Sequence, residues 1–188
     1  MLSAAAGTHL FWITSRAAGI AALLFSSAAV GLGLTMSMKL VRRRAPDLRV
    51  LHEALSLGTM FALVVHAGVL LGDGYLNPGV ADLAIPFYSG YREPWMSIGI
   101  VAGWALLILG LSFYARGRIG RARWRSMHRF TSLAWLASVA HALGEGTDAG
   151  LVWFVVALAV AGVPALVLLV MRLTGVRPQS PGTRAVAP

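Results

Sequence analysis

The stretch Leu51–Ala67, LHEALSLGTMFALVVHA, decides how this chain is read. It is apolar over most of its length and long enough to be a membrane helix core, yet it carries histidine at 52 and at 66. A second stretch, Trp124–Ala142, WRSMHRFTSLAWLASVAHA, repeats the arrangement with His128 and His141. Ionisable side chains are costly in hydrocarbon and mark functional positions when they persist there. Four of the five histidines fall in these two stretches; His9 stands apart near the N-terminus.

Working outward, five apolar runs can cross a hydrocarbon core of roughly 30 Å. They cover Trp12–Met38, Val50–Leu71, Trp95–Tyr114, Trp124–Leu143 and Leu151–Leu173. Hydrophobic residues make up 57% of the 188 and charged residues 12%, too few charges to coat a soluble domain of this size. The expected fold is therefore all-α, a polytopic membrane bundle of about five transmembrane helices. The first run has no basic leader and contains Arg16, so it is expected to be a retained helix and not a signal peptide. Residues 1–173 form the membrane domain, and 174–188, with Pro178, Pro181 and Pro188, are expected to be a disordered tail.

Charge sets the orientation. Lys39, Arg42, Arg43, Arg44 and Arg49 lie between runs one and two. Arg116, Arg118, Arg121, Arg123 and Arg125 lie between runs three and four, and Arg172, Arg177 and Arg184 follow run five. The opposite loops carry Asp73, Asp82, Glu93, Glu145 and Asp148, with Arg92 as the one base. The positive-inside rule puts the N-terminus outside and the C-terminus in the cytoplasm; the Ala-, Arg- and Gly-rich composition points to a bacterial source, so the chain is expected in a bacterial cell (inner) membrane. The net charge of +9 is thereby explained by membrane orientation, and no nucleic acid is implied.

At about 1.5 Å per residue, the 14- and 13-residue gaps between paired histidines span roughly 21 and 20 Å. Each pair puts one imidazole near each membrane face. Runs two and four point the same way, so His52 comes level with His128 on the cytoplasmic side and His66 with His141 on the outer side. Facing neutral imidazoles can fill both axial positions of a haem iron. With no cysteine in the chain, neither thioether-attached haem nor an iron–sulfur cluster is possible. The angular register is uneven. Fourteen residues return to within about 40° of the same helix face, whereas thirteen miss by about 140°. A tightened turn, kink or tilt in run four is required, although no Pro or Gly lies between His128 and His141.

The sequences LHEALSL (51–57) with VVHA (64–67), and WRSMHRF (124–130) with VAHALGEGTD (139–148), resemble the ferric reductase-like transmembrane domain family over roughly residues 12 to 150. The segment DLAIPFYSGYREPW (82–95) is similar to the outer loop of its bacterial members. The resemblance implies two non-covalent b-type haems, with His52 and His128 ligating one and His66 and His141 the other. It also implies electron transfer across the membrane to an extracytoplasmic acceptor such as ferric iron or a partner protein. No Gly-rich nucleotide loop follows a strand signal, so no FAD or NAD(P) site is expected here. A separate flavoprotein or quinol is the expected donor.

Other residues fit around that reading. Arg16, near the outer end of run one, needs a partner; a propionate of the outer haem and the lipid headgroups are the two candidates. Trp135 lies midway between His128 and His141, and Phe61 between His52 and His66, where rings could fill the space between haems. Arg129 follows His128 and is a candidate for the cytoplasmic-side haem. Glu53 is expected to pair with the nearby arginines. Gly19, Gly31, Gly33, Gly58 and Gly103 are positions where helices or a flat cofactor can approach closely. Two other functions compete: a quinol-linked cytochrome b subunit of an extracytoplasmic reductase, and a haem-free transporter or scaffold.

Overall fold

Long apolar runs with no interior hydrogen-bond partner other than their own backbone fold as helices, because an unpaired peptide group is expensive away from water. The computed structural model describes residues 2–41 and 45–176, and every regular element among them is a helix. In chain order these are α1 (Leu2–Ser37), α2 (Ala45–Leu70), the short α3 (Val80–Ala84), α4 (Glu93–Leu111), α5 (Arg116–Ile119), α6 (Arg121–His128), α7 (Thr131–Glu145) and α8 (Val152–Thr174). Arg42–Arg44, Arg177, Arg184 and nearly all of the expected tail lie outside the described residues.

Four helices, α1, α2, α4 and α8, are long and apolar enough to cross a membrane, the pattern of a multi-pass membrane protein. The remaining expected span, the fourth in chain order, Trp124–Leu143, is not one helix. It divides into α6 and α7 at Arg129–Phe130. Both break residues have 3₁₀-like dihedrals, φ −63° and ψ −25° at Arg129 and φ −71° and ψ −11° at Phe130. Phe130 N donates to Met127 O at 3.0 Å and Leu133 N to Phe130 O at 3.0 Å, both i→i−3 bonds. The Thr131 hydroxyl donates back to the His128 carbonyl at 2.7 Å. A 3₁₀ turn rotates about 20° more per residue than an α turn, so this stretch turns His128 toward the face that His141 occupies. This local tightening, which a threonine hydroxyl supports, takes up part of the about 140° by which a thirteen-residue spacing misses.

The arginine-rich segment after α4 is helical too. α5 and α6 meet at Gly120, whose φ of +90° no side-chain-bearing residue adopts readily.

Packing follows residue size. α1 runs along α2 on one side and α8 on the other; α4 runs along α7; α1 also touches α7. At the α1–α8 crossing, Ala165 is fully buried against Gly31, the small-on-small contact that lets membrane helices approach. Trp135 and Leu34 complete this core with Leu169. α2, which carries His52 and His66, and α7, which carries His141, make no substantial contact with one another. They stand across the bundle with α1 and α4 between them. Outward faces are apolar, for example Val160 at 72% and Phe61 at 72% exposure, as lipid contact requires. Phe61 therefore faces outward and does not fill the space between the two histidine levels.

One end of the bundle is tied by acids and the other is rich in arginine. At the acidic end Arg16 grips both carboxylate oxygens of Asp148. There Arg92 also pairs with Glu145 at 3.3 Å and donates to the Gly144 carbonyl at 2.7 Å. The loop before α4 folds back along that helix: Phe87 N donates to the Ser97 hydroxyl at 2.8 Å and the Trp104 indole to the Ala84 carbonyl at 2.9 Å.

Candidate functional site

Three of the four imidazoles, those of His52, His66 and His141, are each positioned by their own helix and by a backbone carbonyl of the helix beside it. His52 Nδ1 meets the Ala29 carbonyl at 2.8 Å, His66 Nδ1 the Ser15 carbonyl at 2.8 Å, and His141 Nδ1 the Trp95 carbonyl at 2.8 Å. A carbonyl only accepts, so Nδ1 carries the proton in all three and Nε2 is left with its lone pair. This tautomer presents Nε2 to a metal and leaves Nδ1–H to fix the ring, the usual outer support of a metal-binding histidine.

A glycine follows each of these carbonyls by four residues: Gly33 after Ala29, Gly19 after Ser15 and Gly99 after Trp95. In a helix, residue i+4 covers the carbonyl of residue i, and a side chain there would stand where the imidazole lies. A Cβ added at Gly99 would come 2.5 Å from His141 Nδ1, at Gly19 2.9 Å from His66 Nδ1, and at Gly33 3.3 Å from His52 Cε1. The glycines are therefore seats for the rings. Gly19 and Gly33 stood out in the sequence as close-approach positions; Gly99 did not. A glycine one helical turn beyond a carbonyl is a signal visible only once its partner helix is known.

At the arginine-rich end, His52 and His128 face one another with ring centroids 6.3 Å apart and planes at 82°. A five-membered ring has a radius of about 1.15 Å for bonds of about 1.35 Å, and a metal–imidazole bond is about 2 Å. Two imidazoles on opposite sides of one metal atom therefore have centroids about 6.3 Å apart. A cavity of about 450 Å³ opens beside the pair, a usual size for a cofactor site. Its lining combines small residues (Ser26, Ala29, Gly33) with basic ones (Arg125, Arg129, Arg172), which suits a flat apolar ring with anionic substituents. At the other level, the His66 and His141 rings sit on Gly19 and Gly99. Among the described residues no three His, Asp or Glu side chains converge as a metal cage.

The remaining candidates fall as follows. Arg16 has Asp148 as its partner, and its guanidinium lies 5.0 Å from the Trp12 ring centre. Asp148 is the acid that sequence reasoning passed over as a loop residue. Trp135 is 2% exposed and packs with Leu34, Ala165 and Leu169. Its indole donates to the Ser27 hydroxyl at 2.9 Å, which places it on the α1–α8 side of α7. Glu53 accepts from the Tyr114 hydroxyl at 3.1 Å; Arg42–Arg44 lie outside the described residues. Arg129 lines the cavity and reaches the Ser126 hydroxyl at 3.2 Å. No family model, no curated protein and no solved structure matches this chain.

Proposed function

We propose that this chain conducts electrons across a membrane through two b-type haems, one held by His52 and His128, the other by His66 and His141. The observation that carries the reading is the His52–His128 pair, whose rings face across the bundle at 6.3 Å from helices that do not pack together. Haem b supplies a one-electron iron couple at each level. The chain's own residues do the rest. Backbone carbonyls hold three of the imidazoles in the Nε2-basic tautomer. Apolar helix faces keep water out, which lowers the reorganisation that accompanies each change of charge. Arg125, Arg129 and Arg172 offer cations to propionates at the arginine-rich end, and Arg16 stands at the other end beside Asp148.

By the positive-inside rule the arginine-rich end is cytoplasmic, in a bacterial inner membrane. A separate flavoprotein or a quinol delivers electrons there, and ferric iron or a partner protein accepts them outside. The test is the absorption spectrum of the purified chain, oxidised and reduced, with haem quantified per polypeptide. Two low-spin haems per chain are expected. A chain that stays free of haem when expressed with haem in excess overturns the proposal.

A further inference from the structure

A loop that joins two membrane helices ordinarily stands in water, yet two hydrogen bonds hold the one between α2 and α4 against the flank of α4. The Trp104 indole donates to the Ala84 carbonyl at 2.9 Å, and Phe87 N donates to the Ser97 hydroxyl at 2.8 Å. The depth of these bonds follows from the helix. α4 has 19 residues, so at about 1.5 Å each it is about 28 Å long and only just covers a hydrocarbon core of roughly 30 Å. Its first residue, Glu93, therefore marks one boundary of that core. Trp104 lies about 16 Å further in, and a helical side chain leans back by about one turn of 5.4 Å toward the N-terminus. The Ala84 carbonyl is thereby held roughly 10 Å inside the boundary, and Phe87, level with Ser97, lies nearer to it.

The chain is suited to that depth. Leu83–Tyr91, LAIPFYSGY, carries no charge, and Asp82 and Arg92 flank it. Peptide groups in hydrocarbon need partners within the protein. At the deepest turn every donor is accounted for: Ile85 N donates to the Ala81 carbonyl at 2.9 Å, Pro86 has no N–H, and Phe87 N has Ser97. Ile85 is 50% exposed and Phe87 72%. Phe87 holds its ring outward at a φ of +62°, a region bulky side chains seldom enter. The loop also continues a lipid-facing surface: Val101, Trp104 and Ile108 share one face of α4 and are all exposed. We propose that Leu83–Tyr91 is a re-entrant loop seated in the lipid leaflet at the acidic end of the bundle. Ile85 and Phe87 lie among the acyl chains. Tyr88 and Tyr91, also exposed, sit at headgroup level, where an apolar ring with a polar tip is favoured. A soluble protein could use the same aromatic side chains only if they stood in water, and the two bonds to α4 place them below it.

The chain has no cysteine, so a single introduced cysteine carries a nitroxide label at one known place. The full chain with Ile85→Cys, Phe87→Cys, Val101→Cys or Tyr75→Cys, one at a time, is reconstituted in vesicles of phosphatidylcholine and phosphatidylglycerol. Power saturation then compares collisions of each label with oxygen, which concentrates in hydrocarbon, and with a nickel chelate, which stays in water. Val101, on the outward face of α4, sets the lipid value, and Tyr75, 90% exposed, sets the aqueous one. Labels at 85 and 87 are expected to give oxygen-to-nickel ratios nearer to that at Val101. Ratios nearer to that at Tyr75 overturn the proposal and leave the loop as a water-facing surface for a soluble partner. Ile85 has ordinary extended backbone, φ −110° and ψ 117°, so Ile85→Cys decides the matter should Phe87→Cys fail to fold. The readout is the same with or without haem, so it stands apart from the electron-transfer reading.

Discussion

The His66 ring rests on Gly19, with its Nδ1 only 2.9 Å from where an alanine methyl would stand and 2.8 Å from the Ser15 carbonyl one turn earlier. The relationship makes a ranked prediction. Gly99→Ala and Gly19→Ala drive a methyl into an imidazole through contacts that real side chains do not make. Each is expected to cost the haem at the His66–His141 level, reducing haem from two per chain to one. At Gly33 the added methyl would lie 3.3 Å from His52 Cε1, so Gly33→Ala keeps both haems and shifts the potential of one. Haem quantification and redox titration of the three variants check the order. Equal loss in all three would show that the glycines matter only for general helix packing.

The ligand assignment predicts a pairwise pattern. His52→Ala and His128→Ala should each remove the haem at the arginine-rich end, and His66→Ala and His141→Ala the other. Any combination of one from each level should yield a haem-free chain, and His9→Ala should keep both. Haem per chain and the reduced absorption bands of the single and double variants measure this. A single histidine change that removes both haems would contradict two independent levels.

The nearness of His52 to His128 was legible because membrane depth is linear in residue number: 14 and 13 residues are nearly the same height on a helix, whatever its surroundings. Azimuth was not legible in the same way. The break at Arg129–Phe130 has no Pro or Gly to announce it; it rests on i→i−3 bonds and the Thr131 hydroxyl. Ser and Thr make such back-bonds in many straight helices as well. Arg16 was legible as a residue in need of a partner, but Asp148 lies 132 positions away, and long-range pairing leaves no local trace. The three seats needed knowledge of which helices are neighbours. Gly19 and Gly33 look, in the sequence, no different from Gly103, which has nothing within 4 Å of an added Cβ.

Arg16 and Asp148 give the acidic end its firmest tie. The Asp148 side chain is 4% exposed and that of Arg16 34%. Removing one partner of a fully buried pair costs about 3–5 kcal/mol; the partial exposure of Arg16 reduces this to about 1–3 kcal/mol for Asp148→Ala. Arg16→Lys should not recover the loss, because an ammonium cannot bond both carboxylate oxygens as the guanidinium does. Thermal unfolding in detergent measures both. The same variants separate a second role for Arg16. If it also faces a propionate, Arg16→Lys moves the potential of the outer haem in a direction that Asp148→Ala does not share. Identical shifts in the two would leave Arg16 with the loop tie alone.

Trp135 provides the last test, because its burial and its position between the histidines invite two different roles. Its indole is packed against α1 and α8, and its N–H is bonded to Ser27 at 2.9 Å. Trp135→Phe keeps most of the apolar contact and loses one hydrogen bond. The Ser27 hydroxyl retains its own acceptor, the Leu23 carbonyl at 2.7 Å, so the loss should be about 1 kcal/mol. Trp135→Ala opens a cavity and should cost about 3–5 kcal/mol. If the ring serves packing, the phenylalanine variant keeps both haems, both potentials and the rate at which an outer acceptor oxidises the reduced protein. A phenylalanine variant of near-normal stability whose electron-transfer rate falls tenfold would instead make the indole part of the path, since packing loss alone cannot slow a transfer between haems that have not moved.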